Sequence, residues 1–331
     1  MKVKEIIGVD VSKLSLDVRL HLIGESAKFD NDPAGIVQMI QWSEKQCGFK
    51  REDLFFVFEH TGLYSYQLAR ELTNLGIAYT MESGLAVKRS LGITRGKNDR
   101  IDAIKLALYG YRLRDELTPY RLPDKEIQQL QSLLKLRDRM VKQRSGYKAS
   151  LKEQKRVLDA QEYQLCLEVQ KELIGHFSEK IKEVESKIKA IINANARLKN
   201  LYKLITSVKG VGPQTAYHFI VFTHGFTRFK KWRQFASYCG TAPFPYRSGS
   251  SIKAKNKVSH LANKKIKSLL DLCAKSAIQH DAQLKAYYQR KTNHGKEKMS
   301  VINAVRNKIL ARIFAVVNRQ SPYVDTYKFA A

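Results

Sequence analysis

The sequence predicts a mixed α/β domain followed by a mostly helical remainder, and three observations carry that prediction. Over residues 1–120, short apolar runs of strand length alternate with stretches of helical periodicity. From about residue 124 to 200, glycine and proline are scarce and leucine and isoleucine recur at helical spacing. Beyond residue 200, apolar helices are interrupted by a Gly-Val-Gly-Pro turn and by a stretch rich in proline and serine. With 331 residues, 44% of them hydrophobic, the chain is long enough for two or three domains with real cores.

The elements follow in order. KEIIGVDV, SLDVRLHLI and a short SAKFDN are the first three strands. Pro33 opens a helix that reaches about Cys47, DLFFVFE is a fourth strand, and SYQLARELTNLG is a helix closed by Gly76. IAYTME is a fifth strand and IDAIKLALYGY a further helix. The order β-β-β-α-β-α-β-α, with acids on the first and fourth strands and a late helix, is the ribonuclease H arrangement. A dinucleotide-binding fold is excluded because no GxGxxG follows the first strand.

Leu130, Leu133, Leu134 and Leu136, and later Ile181, Val184, Ile188, Ile191 and Ile192, form stripes that predict two or three long helices. They pack as a coiled coil, either against another chain or as an intramolecular hairpin, with possible breaks at Gly146 and Gly175. The segment LITSVKGVGPQTAYHFIVF reads as a helix-hairpin-helix, in which Lys209, Gly210 and Gly212 surround a helix start able to meet a phosphate. In FKKWRQFASYCG, Phe229, Trp232, Phe235 and Tyr238 alternate with Lys230, Lys231 and Arg233, and much of that aromatic stripe belongs to the core.

Four carboxylates stand where elements end. Asp10 follows the apolar run Ile6–Val9, and Glu59 follows Leu54–Phe58, although neither acid is wanted by a strand. Asp99 and Asp102 lie three apart at the start of a helix, hence on one face. Singly, such acids are turn formers or helix caps. Jointly they describe a magnesium site of the two-metal nuclease kind, since Mg²⁺ takes oxygen ligands from separate elements and leaves positions for water and phosphate; Mn²⁺ suits the same donors.

Charge divides the chain further. Residues 1–120 hold 17 Lys or Arg against 16 acids, residues 121–197 hold 17 against 11, and residues 198–331 hold 25 against 4. The net charge of +28 therefore sits mainly in the last third, which predicts a nucleic-acid partner with salt-sensitive affinity. The apolar stretches are too short to span a bilayer and no leader-like segment is read. Four scattered cysteines, with no CxxC, fit a reducing cytoplasm and neither zinc nor a disulfide framework. The stretch from Thr241 to Leu270 reads as an irregular loop leading into a helix. Arg247, Lys253, Lys255, Lys257, Lys264 and Lys265 cluster there around Ser248, Ser250 and Ser251.

GVDVSK, FEHTG, GKNDRIDA, the GVG segment and the PYRSGSS loop, in that order across nearly the whole chain, resemble the DEDD-type insertion-sequence transposases. These are bridge-RNA-guided serine recombinases, related to the Piv-type DNA invertases. The resemblance implies three parts: a RuvC-like DEDD catalytic domain over 1–120, a coiled-coil oligomerisation region over 121–200, and a basic transposase domain over 201–331. It implies that Asp10, Glu59, Asp99 and Asp102 bind Mg²⁺ and that Ser248 is the nucleophile, forming a phosphoserine link to DNA. It also implies a composite site shared between subunits of a dimer or tetramer. Family members often carry two serines before the glycine; here Arg247 precedes Ser248 and two serines follow, so Ser250 and Ser251 stay open.

The expected partners are donor and target DNA, a noncoding guide RNA and further copies of the chain, in a bacterial cytoplasm, at the nucleoid when active, with no membrane. Two other readings stand beside this one: a RuvC-like Holliday-junction nuclease in which water attacks, and a catalytically silent nucleic-acid-binding scaffold.

Overall fold

The computed structural model describes residues 4–90, 92, 99–159, 161–248 and 252–325, with the backbone alone at 99, 246–248 and 252–255. It divides into two compact units, 1–122 and 123–331.

The first unit is built on one mixed sheet. Its strands are β1 (Glu5–Val11), β2 (Ser15–Leu20), β3 (Ser26–Asp30), β4 (Leu54–Glu59) and β5 (Ala78–Glu82), in the order β3-β2-β1-β4-β5. The first three form an antiparallel meander, while β4 and β5 run parallel to β1 through helical crossovers. Helix α1 (Pro33–Cys47) begins where the Asp32 side chain accepts the Gly35 amide at 2.7 Å, with proline in its first turn. It ends at Gly48 in the left-handed region (φ 68°). Helices α2 (Leu63–Asn74), α3 (Gly84–Ser90) and α4 (Asp99–Arg112) complete the unit, α3 being an element the sequence reading lacked.

The strands β1 and β4 are apolar on both faces, as a covered parallel pair requires. On one face Ile7, Val9, Phe56 and Phe58 join Ile36 and Ile40 of α1 and Leu68 and Leu72 of α2. On the other, Ile6, Phe55 and Val57 meet Leu106 and Tyr109 of α4.

The second unit is mostly helical. Helices α5 (Lys125–Val157) and α6 (Gln164–Ala194) run through Gly146 and Gly175 without a break. They form an antiparallel intramolecular pair: Arg137 Nε meets Glu185 Oε1 at 2.6 Å, Arg144 reaches Ser178 Oγ at 3.1 Å, and the Tyr147 and Phe177 rings lie 6.1 Å apart. Helices α7 (Ala196–Thr206), α8 (Pro213–Phe222), α9 (Trp232–Tyr238), α10 (Lys264–His280), α11 (Ala282–Asn293) and α12 (Lys298–Arg319) follow. Leu130, Leu134, Ile188 and Ile192 from the long pair share one core with Leu204, Phe219, Phe235, Ile309 and Ile313. The boundary expected near residue 200 therefore falls within a continuous core. The stretch read as an irregular loop contains a hairpin of β6 (Pro243–Ser248) and β7 (Ile252–Val258), with a bulge between the Phe244 and Tyr246 pairings. Its two prolines, which argue against a central strand, are tolerated in a two-stranded ribbon that has only edges.

After α8 the chain turns through His224 in the left-handed region (φ 50°). Burial, helped by the Arg228 charge, pushes the imidazole down to about 4. A histidine kept neutral contributes stability that is complete above its ordinary value of 6.5 and is lost as pH falls toward 4. The thermal midpoint of the protein should thus decline between about pH 6.5 and 4.5, before carboxylates titrate. His224→Asn, which keeps a residue that tolerates this backbone, should flatten that part of the profile. An unchanged profile in the variant would contradict the assignment.

Candidate functional site: a carboxylate row and a basic hairpin

One row of ionisable side chains crosses all five strands. Asp10 pairs with Asp17 across β1 and β2, Asp17 with Lys28 across β2 and β3, and Glu59 with Glu82 across β4 and β5. The β1–β4 register, Val9 beside Phe58, puts Asp10 beside Glu59 one residue on. Residues in register share a face, so Lys28, Asp17, Asp10, Glu59 and Glu82 all lie on the side that α4 covers.

Helix α4 brings the remaining acids to that row. A Cβ at Gly8 would stand 2.2 Å from the Ala103 carbonyl oxygen and 2.3 Å from the Ala107 nitrogen, so α4 lies directly on β1 at this glycine. Gly110, farther along α4, sits against Ile6 and Val57. The helix therefore runs antiparallel to β1, and its start, with Asp99 and Asp102, lies toward the strand end that carries Asp10. Arg100 shares a small cleft of about 210 Å³ with Asp17, Ser26 and Lys28, which fixes the same end beside β2 and β3. Asp102 Oδ1 accepts from Lys105 Nζ at 2.9 Å. The structure gives the backbone of Asp99 only.

The sequence reading singled out neither Asp17 nor Glu82. Glu82 repeats the signal that exposed Asp10 and Glu59, an acid closing an apolar strand. It accepts from Thr80 Oγ1 at 2.9 Å and shares a hydrogen bond with Tyr109. Burial first, then the Glu82 charge and hydrogen bond, push the Tyr109 phenol up to about 12. Like-charged neighbours on adjacent strands repel, so the row is suited to a cation. Its donors are all oxygen, the set a hard divalent ion takes. Among the described residues no three acids or other ligand-type side chains are drawn close enough to enclose an ion.

The other predicted residues lie in the second unit. Ser248 ends β6, with Arg247 paired to Lys253 of β7; Ser250 and Ser251 fall outside the described residues, as do the side chains of Arg247, Ser248, Lys253 and Lys255. Lys257 is exposed on β7. Lys264 is exposed in the first turn of α10, while Lys265 beside it is paired with Asp138 of α5 at 2.6 Å. Lys209 is paired with Asp325. Gly210 (φ 85°) packs on α10, where a Cβ would stand 2.8 Å from Cys273 O, and Gly212 is the exposed residue before α8.

Two family profiles match the chain: a DEDD-type IS110 profile described as a transposase over residues 7–159, and the transposase IS116/IS110/IS902 family over 202–289. The chain belongs to the IS110-family transposases. It is 27% identical over 332 residues to the pilin gene-inverting proteins of Moraxella lacunata and Moraxella bovis, covering 97% of this chain and 98% of each relative. It is also 28% identical over 137 residues to an uncharacterized 43.6 kDa protein of insertion element IS110 in Streptomyces coelicolor, 41% of this chain and 34% of that protein. The protein is thus a DNA transposase or recombinase, and the first profile spans the whole carboxylate row.

Gly84, the first residue of α3, offers a test of the row. A Cβ there would stand 2.1 Å from Glu59 Oε1, so the Glu59 carboxylate rests on the bare Cα. Alanine favours a helix by roughly 0.5–1 kcal/mol over glycine and would clash only with the movable end of Glu59. Gly84→Ala should therefore leave the melting temperature unchanged or raised while DNA cleavage falls on the order of a hundredfold, the penalty of a misplaced reacting group. Full cleavage in the folded variant would dissociate Glu59 from the chemistry.

Proposed function

We propose that this IS110-family transposase cuts and rejoins DNA with divalent-metal-binding carboxylates in a ribonuclease H-like first unit and a serine nucleophile, Ser248, in the second. The observation that carries the proposal is the row Asp10–Glu59 with the start of α4, bearing Asp99 and Asp102, directed to the same sheet end. The sheet order and the meander followed by parallel strands support the ribonuclease H-like reading. Mg²⁺, or Mn²⁺, would be held by Asp10, Glu59, Asp99 and Asp102. When bound it would supply Lewis-acid stabilisation of charge on the scissile phosphate.

The chain's own residues carry the rest. Ser248 Oγ forms a bond to phosphorus and gives up its proton, while the bond to the deoxyribose oxygen breaks and that oxygen is protonated. A phosphodiester is exchanged for a serine-linked phosphodiester, so the strand can later be rejoined without ATP. Cations near the serine, Arg247 and Lys253, would stabilise the developing charge. Inverting a gene, for which the Moraxella relatives are named, requires DNA to be cut and rejoined, which supports the reading. In the same proposal, a noncoding RNA guides target choice, the α5–α6 pair joins subunits into a dimer or tetramer with composite sites, and the protein works in the bacterial cytoplasm on nucleoid DNA.

A nicked suicide substrate should trap a denaturation-resistant protein–DNA adduct in the presence of Mg²⁺. Ser248→Ala should lose the adduct and keep DNA binding; Asp10→Asn and Asp102→Asn should lose cleavage. Adduct mapped by mass spectrometry to Ser250 or Ser251 would move the nucleophile, and cleavage without any adduct would favour water as the attacking group. Removing Lys253, Lys255 and Lys257 together should lower the slope of log K against log salt by about one unit per lost phosphate contact. An unchanged slope would place these lysines away from DNA.

A further inference from the structure

The base of the β6–β7 hairpin is one wall of a groove of about 1210 Å³, whose other walls come from α9, α10 and α12. Its composition is one-sided. Arg233, Lys257 and Lys267 line it, and none of its lining residues is acidic. Interleaved with these cations are Trp232, with the Arg233 guanidinium 5.6 Å from its ring, and two apolar side chains held out of any core: Phe244, 46% exposed, and Met299, 59% exposed.

The floor adds a further cation with an unmet donor. Arg306 is 7% exposed, pairs through Nη2 with Asp271 and through Nη1 with Asn303 at 3.4 Å, yet its buried Nε has no acceptor. A buried donor left unmade costs roughly 1–3 kcal/mol, and this one belongs to a charged group in a groove that lacks acids. Arg306 also lines the groove and adds a fourth cation to its wall, and a small shift of its side chain would bring this donor to an anionic oxygen there.

We propose that this groove seats an unpaired stretch of the DNA strand undergoing exchange, with phosphates on Arg233, Lys257 and Lys267 and a base against Trp232 and Phe244. Double-stranded DNA meets a basic surface through its phosphates and keeps its base faces stacked inside, so it leaves the exposed Phe244 ring and Met299 without partners. An unpaired strand offers both phosphates and faces, the combination that single-strand grooves use. The placement agrees with this occupant. Ser248 lies four residues along β6 from Phe244, roughly 13 Å at strand spacing, so a strand in the groove would lead toward the serine. The inference rests on the recombinase reading only for the identity of the strand.

The test uses the full-length protein, whose two tryptophans are Trp42 and Trp232. Trp42 packs beside Phe29 in the first unit, so Trp42→Phe leaves Trp232 as the sole reporter. An unpaired DNA oligonucleotide of about 12 residues should quench Trp232 emission, and the matching duplex should bind without quenching it. Phe244→Ala and Met299→Ala should each weaken single-strand affinity roughly tenfold, as loss of a stacked base does, with duplex affinity and melting temperature unchanged. Absence of quenching, equal loss for duplex and single strand in both variants, or quenching by RNA of the same sequence but not by DNA would overturn the proposal. The outcome is separable from the serine chemistry. Quenching without an adduct on Ser248 would sink the nucleophile and leave the groove, while an adduct formed with no quenching would do the reverse.

Discussion

The first unit depends on one close approach, the contact of α4 with β1 at Gly8. Any side chain at that position would meet the helix backbone, not a movable side chain, so neither partner could yield without separating the layers. Close contact has two consequences. It lets Leu106 and Tyr109 seal the apolar face formed by Ile6, Phe55 and Val57. It also fixes the height of the α4 start above the sheet, and with it the backbone of Asp99 and Asp102 relative to Asp10. Fold stability and carboxylate geometry therefore rest on the same glycine, two residues before the first acid in the sequence GVD.

In the second unit a comparable part is played by a polar junction. Asp138 on α5 receives Lys265 of α10 at 2.6 Å and the buried His218 of α8 at 3.4 Å, while Arg137 and Gln214 both meet Glu185 of α6. Burial pushes the Asp138 carboxyl up, but hydrogen bonds from His218 and Lys265 outweigh it and hold the group below the usual carboxylate range. Four helices are thus tied at the foot of the long hairpin, where the shared apolar core begins. Truncating Asp138 would leave two donors unpaired, which is the costly way to break such a network.

The fold was legible where local chemistry and tertiary need agree. All five strands, and the helices at Pro33, Ser65 and Ile101, carry their own periodicity and end signals, and Asp10 and Glu59 stood out because an acid closes an apolar strand. Four things were hidden for identifiable reasons. Asp17 sits in an alternating strand where an outward acid is ordinary, and only the cross-strand register reveals that it faces Asp10. Helix α3 is a single short stretch with one buried residue, Val87, too little for a periodic signal. The β6–β7 hairpin is written in prolines and lysines, residues that strands disfavour, which a two-stranded ribbon with only edges tolerates. The acidic partners of Lys209 and Lys265, two of the expected phosphate ligands, are 116 and 127 positions away in the chain.

The two units separate opposite electrostatic tasks. Of the four acids in residues 198–331, Asp271 is paired with Lys275 and Arg306, Asp281 with Arg312, and Asp325 with Lys209. These acids hold helices together, and most of the cations among the described residues of that region are exposed. Such an excess repels itself, and a polyanion relieves the repulsion. The carboxylate row of the first unit has the reverse character and would repel phosphate on its own. Under the proposed reading, a phosphate could approach the row only once a divalent cation screens it. A metal would then be needed for approach as well as for chemistry, because the carboxylates that would hold it would otherwise repel the scissile phosphate.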